Sequence, residues 1–196
     1  MITDFVKHLQ DLERRILNLE FPKIPHLDDY ATGGVAVKTG GTGVPDFAVF
    51  QNGLYLYTFS DQAVAGNEKQ IFFTVQLPHS WKEGSTIEPH CHIAPEDNAG
   101  GVVRMGLEYS WQNIDGTFGA STTTYVDKNI GTTAKAHKLA SFGNVDGTGM
   151  TASSILVCRL FRNSSNANDT YTGKSVFLLS VDVHIKKDKL GEITSP

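Results

Sequence analysis

The chain has little with which to cross-link itself, cross a membrane or wrap nucleic acid. Cysteine is nearly absent: Cys91 and Cys158 are its two, far apart and outside any Cys-x-x-Cys pattern. Each lies in an apolar, strand-like segment and reads as a buried thiol, so disulfides are not expected to hold the fold. No stretch approaches the roughly 20 consecutive apolar residues that span a bilayer. The first twenty positions carry Asp4, Lys7, Asp11, Glu13, Arg14 and Arg15 in place of a signal-peptide core. A soluble protein made in a cytoplasm, with no membrane partner, is expected. Basic charge is not in excess either: 17 Lys and Arg stand against 21 Asp and Glu, a formal net charge of −4. Without a basic field for a phosphate backbone, nucleic acid is not an expected partner.

Catalytic signatures are missing as well. There is no Gly-x-Ser-x-Gly elbow, no Gly-x4-Gly-Lys-Ser/Thr loop and no His-Glu-x2-His helix. Asp115 and Asp146 are each followed by glycine, a hairpin signal rather than an acid/base pair. What is present is ordinary globular chemistry, 40% hydrophobic and 19% charged over 196 residues. That suits one sizeable domain with an appendage.

The appendage comes first. Ile2, Phe5, Leu9, Leu12, Ile16 and Leu19 recur at intervals of 3, 4, 3, 4 and 3, an a/d heptad pattern. With Ile2 at a, the g-to-e pairs of a parallel coiled coil are His8 with Glu13 and Arg15 with Glu20, both attractive or neutral. A single amphipathic helix lying on the domain has the same periodicity. A helix of about 20 residues is only about 30 Å long and marginal in water without a partner, and another copy of itself is the simplest one. Ile at a with Leu at d leans towards a dimer, whereas Phe5 at d asks for a wider core. Pro22, Pro25 and the Gly/Thr-rich tract from Ala31 to Pro45 then read as an extended connector. Three parts are expected: a coiled-coil helix over 1–21, a linker over 22–45, and an all-β, jelly-roll-like antiparallel β-sandwich over 46–196.

Within the last part the period becomes 2. Ile71, Phe73, Val75 and Leu77 share one strand face, as do Val103, Met105, Leu107, Tyr109 and Trp111, and then Phe177, Leu179, Val181, Val183 and Ile185. Further strands are expected over 54–59, 87–94, 121–126, 137–142 and 153–162. Turn signals such as Asn52-Gly53 and Asp115-Gly116 lie between them. Strands at this spacing with no second long helix indicate a sandwich or jelly roll. Aromatics on alternating strand positions, such as Tyr55 and Tyr57, read as core or interface residues before a sugar-stacking platform.

One segment points to a divalent metal. In Gly84-Ser-Thr-Ile-Glu-Pro-His90-Cys-His92-Ile-Ala-Pro-Glu96, two histidines at i and i+2 project from one strand face and can converge on one ion. The segment resembles the first half of a cupin signature, which implies His90, His92 and Glu96 as ligands. The second cupin motif, Gly-x5-Pro-x-Gly-x2-His, does not occur. Asp182 and His184 fall on the face opposite the last apolar run, so His184 completes a set with His90 and His92 if the two strands are neighbours. The competing reading is a polar strand face or a subunit contact without metal.

Leu77-Pro-His-Ser-Trp-Lys-Glu-Gly84, Ile87-Glu-Pro-His-Cys-His-Ile-Ala-Pro95, Gly106-Leu-Glu-Tyr-Ser-Trp111 and Val181-Asp-Val-His-Ile185 together resemble a group of tailed-bacteriophage virion proteins. The resemblance covers roughly residues 70 to 190. It implies a small jelly roll with an N-terminal helix, and a non-enzymatic, head-associated role as a head fibre, decoration or cement protein. It implies a homotrimer whose N-terminal segments attach to the major capsid protein or another virion protein. A cupin-like metal enzyme, or a module binding a host-surface glycan through loops at Ala65, Asn98 and Asn163, are the alternative readings.

Overall fold

The computed structural model describes Lys7 and residues 26–33, 37–62 and 67–188. The heptad residues Ile2, Phe5, Leu9, Leu12, Ile16 and Leu19 lie outside the described residues, as does the loop at Ala65. The described chain forms eleven strands: β1 (His26–Gly33), β2 (Lys38–Thr39), β3 (Asp46–Gln51), β4 (Leu54–Ser60), β5 (Gln70–Gln76), β6 (Glu88–Pro95), β7 (Val102–Gln112), β8 (Thr122–Asn129), β9 (Lys138–Ser141), β10 (Ile155–Arg162) and β11 (Ser175–Lys187).

These strands make two antiparallel sheets. One has the order β3-β4-β11-β6-β9, with β1 also paired to β11; the other has the order β2-β5-β10-β7-β8. From β4 onwards every connection but one changes sheet, the exception being the β7–β8 hairpin. That connectivity is a jelly roll's, in which two four-stranded sheets wind together. The inner faces carry the apolar alternation read from the sequence. Ile71, Phe73, Val75, Leu77, Val103, Met105, Leu107 and Trp111 are all buried in one core, with Tyr109 packed on its edge. Cys91 and Cys158 are buried in that core as free thiols.

Three features differ from the sequence-based expectation. The tract 22–45 is not a connector throughout. His26–Gly33 pairs with β11 from His26 opposite Lys187 to Gly33 opposite Ser180, and Lys38–Thr39 pairs with β5. Val37 sits in the core. Both strands lie at sheet edges and are held by backbone pairing, which imposes no apolar alternation for a sequence pattern to detect. The hairpin arm β3 was likewise not anticipated as a strand; its turn was, and Asn52 adopts φ 52° before Gly53 as a two-residue turn requires. Finally, β11 does not keep one inward parity. A bulge between Leu178 and Ser180 shifts the register, so Val176 and Leu178 join the core before it and Val181, Val183 and Ile185 after it. Leu179, expected inside, is not among the core residues, and Phe177 packs edge-on against Phe50 instead. One inserted residue reverses every later side chain.

Candidate functional site

Strands β6 and β11 are neighbours, with His90 opposite Asp182 and Glu88 opposite His184. Cys91 and Ile93 of β6, and Val181 and Val183 of β11, fill the core. Alternation therefore sends Glu88, His90, His92, Asp182 and His184 to the outer face. His137, just ahead of β9, closes on the same cluster, because β9 pairs His92 with Leu139 and His90 with Ser141.

Although this face turns away from the core, its centre is closed to solvent. His90 is 1% and Asp182 6% exposed. Four imidazoles form a row: ring centroids are 4.2 Å apart for His184 and His90, 5.1 Å for His90 and His92, and 4.7 Å for His92 and His137. Asp182 Oδ2 lies 2.8 Å from His92 Nε2 and 3.6 Å from His90 Nε2. It also accepts a hydrogen bond from the Ser180 hydroxyl at 3.1 Å. The other carboxylate oxygen, Oδ1, is buried with no hydrogen-bond partner among the described residues. His90 Nδ1 is 3.3 Å from the Glu88 carbonyl oxygen. A carbonyl only accepts, so the pairing assigns a proton to Nδ1 and leaves Nε2 turned towards Asp182. His92 Nδ1 faces His137 Nε2.

The ligand atoms of His90, His92 and Asp182 all lie within 4.8 Å of one another. Of the residues expected from the sequence, the fold gathers His90, His92 and His184 on one face, and the group whose ligand atoms converge is His90 and His92 with Asp182. Glu96 stands beyond the end of β6, and its carboxylate accepts the Ser175 backbone N–H at 2.9 Å. It does not join the cluster. His184 packs against His90 with the ring planes tilted by 47°, and its Nδ1 turns to the Glu88 carboxylate at 3.5 Å. Glu88 is itself held below the ordinary carboxylate range, first by the Ser141 hydroxyl at 2.7 Å and then by His184. Asp182 and His137 were outside the expected set. Asp182 was within reach of strand parity, two positions before His184; nothing in the wording around His137 announces it.

A shallow depression of about 350 Å³ lies on the opposite sheet and is lined by Phe72, Glu108, Tyr109 and Arg159 among others. Its acid is already committed: the Ser121 hydroxyl and the Arg159 guanidinium hold Glu108 below its ordinary pKa.

No protein-family model matches the chain, and no curated protein matches it in sequence. Among solved structures, the CBM36-1 domain of a multidomain xylanase from the hindgut metagenome of Trinervitermes trinervoides is similar with TM-score 0.45 and 11% identity, covering 80% of this chain and 96% of that one. A family 35 carbohydrate binding module from Clostridium thermocellum has TM-score 0.42 and 11% identity, covering 80% and 97%. The structure of infectious bursal disease virus Gx strain has TM-score 0.42 and 14% identity, covering 85% of this chain and 35% of that chain.

Proposed function

We propose that this chain is a non-enzymatic structural protein of a tailed-phage virion, a head fibre or decoration protein that assembles as a homotrimer and displays its jelly roll from the capsid. The observation that carries the reading is an uncovered stretch of core face. On the β3–β4 hairpin, Phe47, Val49 and Tyr55 share the face of Tyr57 and of buried Phe59. The opposite sheet does not reach them: Phe47 is 55% and Tyr55 49% exposed. Phe47 stacks on Tyr55 with centroids 5.7 Å apart and sits 5.2 Å from Tyr57. Among the described residues β3 is the end strand of its sheet. A contiguous apolar patch beside an open strand edge marks a contact surface.

The occupant is another copy of this chain. The heptad ends at Leu19 and Glu20, and β1 begins at His26. Residues 21–25 span at most about 17 Å when extended, so heads joined by their helices stand side by side. The tether converts a weak hairpin contact into an intramolecular one. The resemblance of residues 70 to 190 to phage virion proteins supports a location on the head.

Sedimentation equilibrium of the intact chain tests the assembly. A trimer is expected, and Leu12→Asp, which buries a carboxylate in the seam, should dissociate it; a monomeric intact chain overturns the reading. Mass spectrometry and antibody labelling of purified particles test the location, and a chain missing from virions overturns that part. Glycan-array binding abolished by Tyr55→Ala would instead assign the aromatic face to a host-surface glycan.

A further inference from the structure

We propose that His90 Nε2, His92 Nε2 and the Asp182 carboxylate form a zinc site that braces β6 to β11 across the outer face of the six-stranded sheet. The inference stands apart from where the protein assembles.

Three observations carry it. The first is convergence. His90 Nε2 and His92 Nε2 both turn to Asp182 Oδ2, at 3.6 and 2.8 Å, in a site where His90 is 1% and Asp182 6% exposed. Two imidazole nitrogens and a carboxylate gathered on one buried point are the donor set of a bound cation. The second is the orphaned Asp182 Oδ1, buried without a partner among the described residues, in a residue that is 6% exposed. An unsatisfied buried carboxylate oxygen costs free energy, and bidentate ligation through Oδ2 and Oδ1 together removes that cost. The third is spacing. Bonds of about 2.0 Å to a tetrahedral zinc put neighbouring ligand atoms about 3.3 Å apart, and the two nitrogens lie 2.8 and 3.6 Å from Asp182 Oδ2.

The outer shell fits the same ion. With metal on His92 Nε2, its Nδ1–H donates to His137 Nε2, the atom it already faces. The Ser180 hydroxyl orients the carboxylate at 3.1 Å. Such partners fix ring orientation and raise ligand basicity. Two imidazoles and one carboxylate suit zinc, whereas calcium and magnesium take oxygen ligands. Cys91 is no ligand, because its side chain lies in the core on the opposite face. His184 and Glu88 pair with each other beside the site.

The test uses the intact, untagged chain after chelator treatment. Titration calorimetry with zinc chloride should show one ion per chain. The melting temperature should rise by about 5–10 °C at a hundredfold excess over Kd, with no rise from magnesium or calcium chloride. Asp182→Asn and His92→Gln should each weaken binding by about a hundredfold or more, His137→Gln by about ten- to a hundredfold, and Glu96→Gln not at all. If Asp182→Asn does not fold, His92→Gln and the visible spectrum of the cobalt-loaded chain decide, a tetrahedral band supporting the site. Zinc content below about a tenth of an ion per chain with an unchanged melting temperature assigns a proton as the cation and overturns the proposal. Zinc binding that survives Asp182→Asn and His92→Gln together overturns it equally.

Discussion

Arg162 and Asp169 meet side by side in the interior, Nη2 to Oδ1 at 2.7 Å and Nε to Oδ2 at 2.9 Å, with neither side chain more than 1% exposed. The other three N–H groups of the guanidinium donate to the carbonyls of Phe59, Lys174 and Tyr171. All five donors are therefore used, and Asp169 Oδ2 also accepts the Arg104 backbone N–H at 3.0 Å. The Arg162–Asp169 pair thus fastens the end of β10 to β4, to β7 through Asp169, and to the loop that returns to β11.

Breaking one side of that pair should be costly, because the other charge stays buried. Arg162→Ala is expected to destabilise the fold by about 3–5 kcal/mol. Arg162→Lys should also fail, since an ammonium offers three donors and no planar fork. Urea denaturation of each variant checks this; a loss below about 1 kcal/mol for Arg162→Ala would refute it.

Both thiols should be silent in the native state. Burial pushes Cys91 and Cys158 up to about 12, with the Asp182 carboxylate adding to the effect at Cys91. The thiolate is the reactive species. At about pH 8 a thiol reagent should label neither cysteine in the folded chain and both in denaturant; rapid labelling without denaturant would contradict the burial.

Acid should weaken the loop clamp at the far end of β6. Asp97 is held at about 2, first by the Lys174 ammonium, then by the Ala99 backbone N–H and the Tyr171 hydroxyl. Its ordinary value is 3.8. The unfolded chain therefore takes up the proton first, and the stabilisation is whole above about pH 4 and lost as pH falls through about 2. The gap in urea midpoint between the wild type and Asp97→Asn should be open at about pH 5 and closed near pH 2. A constant gap would rule the mechanism out.

The boundary of the β-head can be tested by truncation. A chain starting at residue 22 keeps β1, β2 and Val37, whereas one starting at Asp46 loses them and strips the edge of β11 from Ser180 to Lys187. The shorter truncation should melt close to the intact chain, and the longer one several degrees lower or aggregate through the bared strand. Equal melting temperatures would show that β1 contributes nothing to stability.

Much of this was legible beforehand because burial writes itself into a strand as a period of two. Ile71 to Leu77 and Val103 to Trp111 could be assigned to one face without any partner known. The features that escaped have no such period. β1 and β2 are edge strands defined by backbone pairing, and the β11 bulge is set by how its two ends must meet different neighbours.

The candidate site divides in the same way. The sequence alone determined that His90 and His92 share a strand face, since alternation within one strand is local covalent geometry. It also determined that Asp182 and His184 face away from the apolar side of their own strand. Only the tertiary structure decided that Asp182 meets both histidines while Glu96 turns to Ser175 and His184 to Glu88. Which atoms converge across two strands depends on their register. That register is fixed by Cys91, Ile93, Val181 and Val183 packing on the other side of the sheet, together with the bulge that resets it, and no spacing along either strand contains it.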